Sequence, residues 1–86
     1  MSKSILVILL GNRKDAAVNV QKILTGWGSN IKTRLGIHDI VLNNCPDEGL
    51  IIIELVGKNE DNVEICRKLN LLASVKAELV NIKLEN

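Results

Sequence analysis

Residues 4–10 read Ser4-Ile5-Leu6-Val7-Ile8-Leu9-Leu10 (SILVILL), six apolar side chains in a row, closed by Gly11-Asn12. A short run rich in branched residues and bounded by turn residues is a buried strand. Alternation places Ile5, Val7 and Leu9 on one face and Leu6, Ile8 and Leu10 on the other. A strand that is apolar on both faces belongs at the centre of a sheet. The second run of this kind is Leu50 to Val56 (LIIIELV), interrupted only by Glu54. The position of these two runs relative to the segments around them decides the fold.

Outward from the first run, Ala16, Val20, Ile23, Leu24 and Trp27 recur at helical spacing from Lys14 onward. Lys14, Asp15, Asn19, Gln21 and Lys22 lie largely elsewhere on the wheel. Gly26 and Gly28, on either side of Trp27, end this helix. Ile31, Thr33, Leu35 and Ile37 then alternate with Lys32, Arg34 and Gly36, the period of a half-exposed strand. After the second apolar run, Asn59 is expected to cap a second helix, with Glu60, Asp61 and Glu64 near its positive end. Ile65, Cys66, Leu69 and Leu72 form its buried stripe. Val75 to Leu84 alternates as a last strand, and its change of phase at Leu79-Val80 predicts a bulge or a change in the covered face. The order strand, helix, strand, strand, helix, strand is the split βαβ pattern. It predicts an α+β fold over residues 1–86 as one domain, a ferredoxin-like βαββαβ sandwich. Its four-stranded antiparallel sheet has strands one and three at the centre and two helices on one face. Two helices leave the other face of an apolar sheet open, which is rare in a soluble monomer. The expected partner is therefore a second copy of the chain, in a dimer or tetramer built through the sheet face and edges.

Composition excludes several classes. The 86 residues are 47% apolar and 24% charged, a globular balance with a formal net charge of +1. That charge gives no field to attract nucleic acid, and Trp27 is the sole aromatic residue, so base stacking is also missing. No apolar run approaches a membrane span, and the start of the chain lacks the features of a signal peptide. Two cysteines without an export signal read as cytoplasmic thiols. A single histidine, no tyrosine and no phosphate-binding loop around Gly57-Lys58-Asn59 leave no catalytic constellation. The reading is a non-enzymatic, cytoplasmic domain with no cofactor, no nucleic-acid partner and no membrane.

Several stretches together resemble a known family. They are Asn12-Arg13 after the first strand, a helix ending near Trp27, and Ile31-x-x-Arg34-x-Gly36-Ile37. The apolar third strand, Lys68-Leu69 in the second helix and Val75-x-x-x-x-Val80 complete the set. They resemble the regulators of the iron-only hydrogenase system, a small bacterial family of stand-alone ACT-like domains, along essentially the whole chain. The resemblance implies an ACT-type module that oligomerises and senses something connected with hydrogenase maturation or expression. The fold is also similar to the C-terminal sensing domain of nickel-responsive regulators. Their metal-binding positions fall on Leu35, Ile37 and Gly49, however, and none of these can ligate. The chain departs from the hydrogenase-regulator pattern in a longer connection before Leu50.

By the same resemblance, Gly11, Asn12 and Arg13 are candidate effector-binding residues, since ACT-type modules hold small effectors at this turn, facing a neighbour. A helix N-terminus and an arginine fork suit a carboxylate or phosphate. Trp27 is expected to anchor packing or an interface and Arg34 to mark an exposed edge, and both join the candidate set. Cys66 reads as a small core hydrophobe. Glu54 has two readings: a buried partner of a Lys or Arg from another subunit, or an outward-facing residue. The segment GIHDIVLNNCPDEG (residues 36–49) gathers metal-competent side chains, and His38, Cys45 and Asp47 form one alternative, a metal-sensing loop; the other is a purely structural protein-interaction module. If the second strand continues through Leu42, His38 and Asp39 fall on opposite faces, and the remainder lacks zinc-site spacing. The expectation is therefore a β-hairpin arm and no metal.

Overall fold

The computed structural model describes residues 1–11, 15–37 and 49–85. In chain order the elements are β1 (Ser2–Leu10), α1 (Ala16–Gly26), a 3₁₀ turn (Gly28–Asn30) and β2 (Ile31–Ile37). They are followed by β3 (Gly49–Leu55), α2 (Asn59–Asn70) and β4 (Val75–Lys83). The strands form one antiparallel sheet in the order β2-β3-β1-β4, so the two runs apolar on both faces are central as expected. This is the ferredoxin-like α+β fold.

The two faces of β1 have different fates. Leu6, Ile8 and Leu10 join Ile51, Ile53 and Leu55 of β3 and Ala77 of β4 beneath Val20 and Leu24 of α1 and Ile65 and Leu69 of α2. Leu6, Ile8, Val20, Ile53, Ile65 and Leu69 are completely enclosed. The opposite face carries no helix among the described residues. Ile5, Val7, Leu50 and Ile52 there are only partly covered, and Leu9, Leu35, Val80 and Ile82 are exposed.

The structure resolves or corrects sequence expectations at four places. Pairing of β4 with β1 is unbroken from Ser2↔Lys83 to Leu10↔Val75, so no bulge occurs at Leu79-Val80. Of the two alternatives, the change of phase reflects a change of face: Val80 and Ile82 are apolar residues on the open face, opposite Ile5 and Lys3. The irregularity lies in β2, where the register with β3 shifts between Ile31 and Thr33. Ile31 packs on the core, whereas Thr33 and Leu35 pair with Glu54 and Ile52 on the open face, so the strict period of two fails at Lys32. Asn59 does not cap α2. Lys58, extended at φ −73° and ψ 138°, holds the cap position without a side-chain hydrogen bond, and its carbonyl accepts from the Asp61 and Asn62 amides. Leu72 lies beyond the end of α2 yet still packs against the core.

Candidate functional site

Gly11 stands where β1 leaves the sheet, next to the turn from α2 into β4. Its amide donates to the Ser74 carbonyl at 2.7 Å, and a Cβ at Gly11 would lie 3.2 Å from Ser74 Cβ. Glycine is what permits this approach. Ser74 adopts φ 59°, a left-handed conformation that costs a non-glycine residue about 1 kcal/mol. Between these two turns opens a cleft of about 540 Å³, lined by Leu9, Leu10, Gly11, Ser74, Val75 and Lys76. Its walls are apolar, with the Ser74 hydroxyl and the Lys76 ammonium as polar groups. A smaller depression of about 250 Å³ adjoins it on the open face, between Val7, Leu9, Leu50, Lys76 and Glu78. Leu9 and Lys76 line both.

The remaining candidates are spread over the molecule. Asn12 and Arg13 lie outside the described residues, as do His38, Cys45 and Asp47 and the expected hairpin arm. Trp27 follows the last turn of α1, so Gly11 and Trp27 stand at opposite ends of an 11-residue helix, about 16 Å long. Its ring is half-buried against the core, with the Lys68 ammonium 5.7 Å from the ring centroid, a cation–π contact between the two helices. Arg34 is exposed on the edge strand β2, opposite Ile53 and on the side of the sheet that carries the helices. Within one chain, then, Gly11, Trp27 and Arg34 do not converge. Among the described residues there is no group of three or more His, Cys, Asp or Glu side chains able to hold a metal ion.

Glu54 faces the open side and is partnered within its own chain, by Lys3 Nζ at 2.9 Å and Lys32 Nζ at 3.9 Å. The hydrogen bond from Lys3 holds the Glu54 carboxyl below its ordinary range and raises the Lys3 ammonium above its own. Cys66 is half-buried, its Sγ 3.5 Å from the Ala77 carbonyl. Ser74 and Lys76 escaped the sequence reading. A serine with positive φ carries no local signature, and Lys76 reads as an ordinary outward residue of an alternating strand.

No protein-family model and no curated protein matches the chain. Among solved structures, it is similar to an uncharacterized protein from Thermotoga maritima, at 21% identity and a TM-score of 0.81, over 96% of this chain and 100% of that one. It is also similar to a proposed PII-like signaling protein from Thermus thermophilus, with 13% identity, a TM-score of 0.54 and coverage of 95% and 88%. A third is CPII from Thiomonas intermedia, solved with ADP, AMP and acetate, at 16% identity and a TM-score of 0.51, covering 99% and 90%. At these identities the likeness is one of fold, and it agrees with the ferredoxin-like topology traced above. No helix among the described residues is long and apolar enough to cross a membrane.

Proposed function

We propose that the chain is a non-enzymatic, cytoplasmic regulatory module that self-associates over its open sheet face and holds a small effector beside Gly11. The observation that carries this reading is the placement of the cleft. It opens where the apolar face ends and shares Leu9 and Lys76 with the depression on that face. A subunit laid over the face would wall the cleft, making the site interfacial. Asn12 and Arg13, next in the chain after Gly11, would add an amide and a guanidinium fork for an anionic group. Trp27 and Arg34 would reach such a site only from a neighbouring subunit. The fold shared with CPII, a protein solved with nucleotides and acetate, supports a small anionic effector. The resemblance to the iron-only hydrogenase system regulators supports a role in that system.

A thermal-shift panel of ADP, AMP, acetate, phosphate and amino acids tests the effector. The expected result is a rise in midpoint with at least one compound, weakened by Arg13→Ala. No response across the panel would overturn the effector and leave a module that acts through protein contacts alone.

A further inference from the structure

The two outer strands of the sheet are protected in different ways. An uncovered edge offers unpaired N–H and C=O groups to any passing strand, and proteins blunt such edges with charge, irregularity or cover. Edge strand β2 carries Lys32 and Arg34, both exposed, and a shift of register between Ile31 and Thr33. Edge strand β4 uses a different device. Asn70, the last residue of α2, turns its side-chain amide onto Ala77. Nδ2 donates to the Ala77 carbonyl at 2.9 Å, and Oδ1 accepts from the Ala77 amide at 2.8 Å. One carboxamide thus occupies both backbone groups that a neighbouring strand would use.

This cover stops halfway along the strand. Outward-pointing backbone groups alternate in an antiparallel ladder, so those of Leu79, Asn81 and Lys83 point the same way as Ala77. Among the described residues no side chain caps them. The uncapped half reads Leu79-Val80-Asn81-Ile82-Lys83-Leu84, with Val80, Ile82 and Leu84 exposed. These three are continuous with the apolar open face. The ribbon of β1 and β4 also runs past the end of β3, since Leu55 pairs with Ser4 while Lys83 reaches Ser2.

We infer that the C-terminal half of β4 is a docking edge for a second copy of this chain, paired antiparallel to itself about Asn81. Such pairing is isologous, so one register serves both copies. Centred on Asn81, it sets Val80 of one copy opposite Ile82 of the other, an apolar cross-strand pair on the open face. Lys83 then faces Leu79, and no like charges oppose. The Asn81 side chains meet at the axis; each Oδ1 already takes a hydrogen bond from Ser4 Oγ at 2.7 Å, which leaves Nδ2 to donate across. The Asn70 cap on Ala77 ends the pairing and so limits it to this half. The product is one continuous sheet of eight strands, four from each copy. This rests on the self-association proposed above and adds an edge contact to the face contact.

Cysteine cross-linking decides it, in a Cys45→Ser, Cys66→Ser background. Facing residues of a hydrogen-bonded pair lie about 5.5 Å apart at Cα, within disulfide reach. Asn81→Cys should therefore oxidise to a covalent dimer as the main species. Lys83→Cys should not, because its two copies would stand about 14 Å apart along the strands. Asn81→Pro, which deletes an outward N–H that β1 does not use, should halve the assembly mass with the circular dichroism unchanged. An oligomer that Asn81→Cys fails to trap would overturn the edge assignment and leave self-association over the face standing. A wild-type chain of monomeric mass at micromolar concentration would overturn both.

Discussion

Asn62 is 2% exposed, inside a core otherwise made of Ile, Leu, Val and Ala. Its Oδ1 accepts from Asn30 Nδ2 at 3.3 Å, and the same Nδ2 lies 3.2 Å from the Val56 carbonyl. The two amides tie α2 to the start of β2 and the end of β3. Gly57, at φ 88°, is part of the same arrangement, since a Cβ there would lie 3.0 Å from Asn30 Nδ2. Asn62→Leu removes an acceptor from a buried amide and should cost about 1–3 kcal/mol in urea unfolding. A loss near zero would mean that the leucine packs as well as the pair bonds. Glu54 gives a test by pH. Its carboxyl is held below the ordinary range by Lys3, so the folded chain binds that proton more weakly than the unfolded chain. The contribution is present above the ordinary carboxylate range and is lost as pH falls through the lowered folded value. At the alkaline end, the raised Lys3 contributes below the ordinary lysine value and is lost as pH rises through its folded value. Melting midpoints of wild type and Glu54→Gln should differ at about pH 7 and converge towards about pH 3. A gap that stays constant over that range would rule out the pair as its source.

At the scale of the element, neighbouring positions on β1 should behave very differently. Ile8 is completely enclosed beneath the helices, so Ile8→Ala should cost about 2–5 kcal/mol in denaturant unfolding. Leu9, the next residue, is 58% exposed on the open face. Leu9→Lys should leave the fold intact and reduce the mass measured by light scattering, because a buried ammonium opposes face-to-face association. Equal losses of stability at both positions would contradict the two-faced description. The strand pattern made this much legible in advance, since SILVILL and LIIIELV are central for the reason that they are apolar on both sides. The phase change at Leu79-Val80, read as a bulge or a change of face, shows where the pattern is ambiguous. Periodicity reports which side chains are apolar, and an open face that is itself apolar imitates a slip in register. The actual shift, at Lys32, falls in a strand whose alternation looked regular. The Asn70 cap was also invisible, because a carboxamide that imitates a strand can be recognised only once the helix end and the edge are placed together.

For the whole molecule, the sequence located one shoulder of the candidate site, Gly11, and missed the other, Ser74 and Lys76, which comes from a turn more than sixty residues later. Convergence of that kind depends on the crossover that lays β4 beside β1, and no local pattern records it. The proposed self-association is a different matter: it is argued from surface area, by counting two helices against two sheet faces. The central position of β1 has a further bearing on how the chain reaches this state. Ser4 pairs with Leu55 and Ser2 with Lys83, so β1 is synthesised well before either neighbour exists. Its six apolar residues stay unpaired until β3 is made, and its second edge is closed only by β4, the last strand of the sheet. Closing such long loops slows folding and prolongs the exposure of sticky surface. The growing chain is thus most vulnerable to misassociation at the segment that the finished sheet flanks with a strand on either side.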